Sequence, residues 1–114
     1  MATFYSKTDT SFVSSLRAKC VYSTSNMGTY VQVTGTIYLE HKGNADTSIL
    51  DVCAGVDCGT SKGGALNNHA GTASRTQFSK HTSWTSVNSK AFTFNIDKGD
   101  VAKTLYIGAS VGYL

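Results

Sequence analysis

Apolar and polar residues alternate with a period of two along most of the chain. Between Phe12 and Ser23, the residues Leu16, Ala18, Cys20 and Tyr22 fall on one side of an extended segment and Arg17 and Lys19 on the other, which predicts a half-buried strand. After a turn at Ser25-Asn26-Met27-Gly28, the stretch from Tyr30 to His41 alternates again. Val31, Val33, Ile37 and Leu39 face one way; Gln32, Thr34, Thr36 and Glu40 face the other. The two segments pair as a hairpin, and Gly35 marks a bulge, a bend or a close approach of another backbone. Ile49, Leu50, Val52 and Cys53 predict a more deeply buried strand over Thr47 to Ala54, with Asp51 awkward inside it. Gly55 to Gly71 is rich in glycine and small polar residues and reads as a long loop. An edge strand is expected within Thr72 to Trp84. Strands are also expected over Lys90 to Ile96, with Phe92, Phe94 and Ile96 on one face, and through the last segment, where Leu105, Ile107, Ala109, Val111 and Tyr113 alternate with smaller or polar residues.

Composition sharpens this picture. The 114 residues include 11 glycines and no proline, are 40% apolar and only 15% charged, and show no helical period. The expected fold is all-β: a single antiparallel β-sandwich domain, jelly-roll or Ig-like, over residues 1–114, with about six to eight strands. A small β-barrel is the alternative. No apolar run approaches the roughly 18 residues of a spanning helix, so membrane insertion is not expected. The net charge of +3 is spread along the chain, and Arg17 with Lys19 make too short a basic track to predict nucleic-acid binding. The opening Met1-Ala2-Thr3-Phe4-Tyr5-Ser6-Lys7 lacks the apolar centre of a secretory leader, and Cys20, Cys53 and Cys58 are too few for a disulfide scaffold. Both point to cytoplasmic synthesis and free thiols. A sandwich this small buries only about 60 to 70% of its unfolded surface, so self-association is an expected source of stability.

Candidate chemistry is sparse. Cys53, Cys58 and His69 have the donor types of a zinc site but not its spacing, so no metal is expected; a local Cys53 to Cys58 disulfide is the other departure from plain thiols. The glycine-rich run Gly55 to Gly64 contains Lys62 but fails the phosphate-loop pattern, because Gly63 follows the lysine and no helix starts there. Serines, histidines and aspartates abound, yet no nucleophile elbow is present, and Glu40 is the sole glutamate. Neither catalytic residues nor a cofactor are expected, although a small enzyme or toxin built on His69 or His81 remains the chemical rival.

The aromatic residues carry more. If Val31, Val33, Ile37 and Leu39 face the core, then Tyr30 and Tyr38 face outward with Gln32 and Thr34, and Tyr106 likewise opposes the apolar face of the last strand. Tyrosine combines large contact area with a polar tip, so Tyr30, Gln32, Thr34, Tyr38, Trp84 and Tyr106 form the expected interaction surface. The plain alternative is that these rings cover a second sheet. Asp57, Asn67 and Asn68 are the expected contacts from the long loop.

At its two ends, Met1 to Ser6 and Lys90 to Val111, the chain resembles the short, Ser/Thr-rich β-sandwich modules of bacteriophage tail and minor structural proteins. In those an aromatic strand, an acidic glycine turn (here Asp97-Lys98-Gly99-Asp100) and a Lys-Thr-aliphatic strand (Lys103-Thr104-Leu105) occur together. The resemblance implies a non-enzymatic virion subunit of a tail, fibre or capsid decoration, assembled in the host cytoplasm and bound to copies of itself and to other virion proteins. A carbohydrate-binding, lectin-like module for host-surface glycans is the alternative, with Trp84, Tyr30 or Tyr38 stacking on sugars and Asp57, Asn67 and Asn68 binding hydroxyls.

Overall fold

A computed structural model describes residues 1–8, 10, 15–43, 50–60, 68–76, 81–97 and 104–113. These residues form seven strands: β1 (Ala2–Tyr5), β2 (Ser15–Asn26), β3 (Tyr30–Gly43), β4 (Leu50–Gly59), β5 (Asn68–Thr76), β6 (His81–Asp97) and β7 (Tyr106–Tyr113). Two antiparallel sheets result, one ordered β1-β2-β3-β6 and one ordered β5-β4-β7, and the described residues contain no helix. The sheets pack face to face, with β7 across from β2, β4 from β3 and β5 from β6. The fold is therefore the expected all-β sandwich, and the two sheets stay separate rather than closing into a barrel.

Period-two alternation builds the core. Leu16, Ala18 and Cys20 of β2, Val33, Ile37 and Leu39 of β3, and Phe92, Phe94 and Ile96 of β6 meet Val52, Ala54, Val56 and Cys58 of β4. Val31, expected in this set, is half-buried at its margin. The β2–β3 hairpin pairs Asn26 with Val31, and Gly28 takes φ +99° in the turn, a conformation that favours glycine. The Gly28 N–H donates to Asn26 Oδ1 at 3.0 Å. Gly35 is the close approach: a Cβ there would lie 2.0 Å from the Val21 carbonyl oxygen.

Three expectations about the second half are corrected. Gly55 to Gly71 is not one long loop, because β4 runs to Gly59 and β5 starts at Asn68, with Gly55 opposite Gly71 and Val56 opposite Ala70. The reason is that inward Val52, Ala54, Val56 and Cys58 sustain the alternation, while glycines fall on the outward positions of the pleat and mimic loop composition. The expected edge strand within 72–84 likewise divides, since β5 ends at Thr76 and β6 starts at His81. β6 is also far longer than Lys90 to Ile96. Its register shifts where Leu39 pairs Asn88 and Glu40 pairs Ser86, leaving Val87 as an extra residue that reverses the parity of the inward positions.

Candidate functional site

Strand register brings one residue from each strand of the four-stranded sheet to a single place on its outer face. Arg17 pairs with Glu40 and Glu40 with Ser86 in one cross-strand row; Tyr5, Lys19, Tyr38 and Ser89 make the next. The Arg17 guanidinium lies between two aromatic rings, 4.2 Å from the Tyr5 ring centre and 4.1 Å from that of Trp84. Its Nε donates to Glu40 Oε1 at 2.8 Å. Tyr5 of β1, Arg17 of β2, Glu40 of β3 and Trp84 of β6 thus form one cluster. The sole glutamate is only 7% exposed, so the ion pair is shielded from water on the carboxylate side. Each ring-cation contact contributes about 0.5–1 kcal/mol in such a partly exposed setting. In the neighbouring row, Lys19 Nζ sits 5.6 Å from the Tyr38 ring centre.

Farther along the same face the chemistry turns neutral. The hydroxyls of Thr34 and Thr93 are 3.2 Å apart, Thr34 Oγ1 also donates to the Phe92 carbonyl at 3.3 Å, and Gln32 Nε2 donates to Asn95 Oδ1 at 3.3 Å. The face therefore has a cationic, aromatic half and an amide and hydroxyl half. Side chains already tied to each other lose less freedom when a partner arrives, so this arrangement suits contact recognition.

Of the residues expected here, Tyr30, Gln32, Thr34 and Tyr38 share the outward positions of β3, and Trp84 joins them from β6. Tyr106 does not. It is 38% exposed on β7, opposite Gly59 in the other sheet. Asp57 and Asn68 are not loop residues, since Asp57 lies within β4 opposite His69 and Asn68 starts β5 opposite Cys58; Asn67 lies outside the described residues. Tyr5, Arg17 and Glu40 are the site residues that sequence reasoning missed. Arg17 and Glu40 were visible as polar-face residues, but only the register makes them neighbours.

The zinc and local disulfide readings both fail on geometry. Cys58 points into the core and Cys53, an odd number of residues away on the same strand, takes the opposite face, roughly 16 Å distant at the usual rise per residue. Among the described residues no three His, Cys, Asp or Glu side chains gather as a metal site, and no helix is long and apolar enough to cross a membrane. At the end of β3, His41 is fully buried with its Nδ1 2.9 Å from that of His81. Burial, and then the neighbouring His81, lower the His41 pKa. The pair sits where the β3–β6 register shifts between His41 and Gly43, so it belongs to the junction of two strands. The chain matches no protein-family model, no curated protein and no solved structure.

Proposed function

We propose that this protein is a non-enzymatic structural subunit of a bacteriophage particle, which associates with its own copies and docks onto other virion proteins. The outer face of the four-stranded sheet is its contact surface. The observation that carries the mode of action is the cluster Tyr5, Arg17, Glu40 and Trp84, drawn from four strands and continued by Lys19 and Tyr38. Aromatic and arginine side chains are the types that dominate contact energies at interfaces. The setting in a phage particle comes from the resemblance of residues 1–6 and 90–111. The test is mass in solution by light scattering together with mass spectrometry of purified particles. Oligomers that Trp84→Ala weakens, and the protein's presence in particles, support the proposal; a strict monomer absent from particles overturns it.

A second reading is carbohydrate recognition on the same face. It is favoured by half-buried Trp84 and Tyr38 and 49% exposed Tyr5 sharing one sheet face with the Gln32–Asn95 and Thr34–Thr93 pairs farther along it. Rings for stacking and amide or hydroxyl groups for orientation are what a sugar requires. A glycan array screened with and without calcium tests it, and an array with no hits removes it.

A further inference from the structure

Three strands of the smaller sheet face β2, β3 and β6 of the larger one, so β1 overhangs, and among the described residues no strand lies beside β7 to face it. Among the described residues the core is open along that seam. Phe4 and Tyr22, edge to face at 5.8 Å, and Leu105, Ile107, Ala109 and Val111 are only half-buried there. Two open depressions follow the chain from Leu105 to Val111. One, of about 550 Å³, lies between Ser6, Lys7, Thr8 and Thr10 and the Ala109–Val111 stretch. The other, of about 440 Å³, lies between Met1, Ala2 and 22–24 on one side and Leu105 and Ile107 on the other.

The edge of β7, free among the described residues, also lacks the devices that blunt the edges of the larger sheet. β1 has only four residues, and β6 carries a bulge and Lys90. β7 is eight residues long, has no charge and no proline, and keeps an unbroken register with β4. Its outward amide and carbonyl groups are arranged to pair with one more strand.

We infer that this seam accepts a single extended segment of another polypeptide, laid against β7 and under β1. A second folded copy does not fit edge to edge: its β1 would have to lie over β7, a place that β2 already fills. The occupant is therefore one strand rather than the rim of another sandwich. Its inward residues alternate and are apolar, to meet Phe4, Tyr22 and Ile107. Among the described residues that line the seam Lys7 is the charged side chain, which disfavours a strand with an excess of positive charge. This strand-acceptor role is separate from the sheet face assigned above.

A peptide with the sequence of residues 105–113 is a suitable probe. Centred on Ala109 and antiparallel to β7, it places Ile107 opposite Val111 in both directions, Gly108 beside Ser110 and Tyr106 over Gly112, with inward positions matched to inward ones. The intact protein is titrated with this peptide while amide exchange and NMR shifts are followed residue by residue. Slowed exchange at β7, with shifts at Ala2, 6–8, Thr10 and 22–24, and about tenfold weaker binding by the same peptide carrying Ser110→Pro, is the expected result. Three results overturn the inference: no change at β7 up to millimolar peptide, equal binding by a scrambled peptide, or β7 protection that rises with protein concentration alone, which would mean pairing between copies. A peptide that binds β7 while the sheet-face test fails separates the two assignments.

Discussion

Arg17 is held by side chains from three other strands, so its removal exposes more than a lost charge. Arg17→Ala deletes both ring contacts and leaves the Glu40 carboxylate nearly buried without its donor. The expected loss is about 2 kcal/mol in urea denaturation. A double-mutant cycle with Glu40→Gln measures the pair, and coupling indistinguishable from zero would count against a shielded bridge. Gly35→Ala is expected to cost about 1–3 kcal/mol, because its methyl meets backbone atoms of Val21 and Tyr22 rather than a side-chain end that can swing away. His41 gives the pH dependence. Its folded pKa is lowered, so the unfolded chain takes up the proton first as pH falls through about 6.5, and the stability from the neutral buried ring is lost from there downward until the folded ring titrates too. The urea midpoint should therefore fall between pH 7.5 and 5, and His41→Gln should flatten that slope.

Elements show which parts of the fold were legible and which were not. The β2–β3 hairpin was readable because its inward residues are large and aliphatic and its turn carries Gly28. The second half of β4 and the first half of β5 were hidden because their outward positions hold Gly55, Gly59 and Gly71, and glycine density looks like loop until the inward Val52, Ala54, Val56 and Cys58 are followed past it. The first half of β6 was hidden by Val87, since a bulge breaks the period that sequence reading relies on. The site needed pairings that no local pattern contains: Arg17 and Glu40 are 23 residues apart and Trp84 lies on another strand again. The same inward and outward logic predicts thiol behaviour. Burial pushes the Cys20 pKa up to about 11, with Cys58 adding to it, and burial raises that of Cys58 as well. Alkylation at pH 8 in the folded protein, read by peptide mass spectrometry, should modify the half-buried Cys53 well before either of them. Faster labelling of Cys20 would place β2 in the wrong register.

At the scale of the molecule, the long hairpin stretches the protein into a slab of 49 × 25 × 19 Å. The described strands place the cationic and aromatic cluster on one broad face and the unguarded edge of β7 along one side. On the roles proposed above, two differently built surfaces would let one small protein touch more than one neighbour. The hairpin tip beyond Thr24 is free of both. Every residue from Ser25 to Thr29 is exposed, and the turn is closed by its own short-range bonds, the Gly28 N–H to Asn26 and the Met27 N–H to the Tyr30 carbonyl at 2.9 Å. Foreign sequence spliced between Gly28 and Thr29 would hang from the end of the slab, since lengthening a surface connection costs only about 0.6 kcal/mol per doubling. That tip is accordingly a natural mount for a fluorophore or an epitope, from which the protein could be tracked with its contact surfaces left bare.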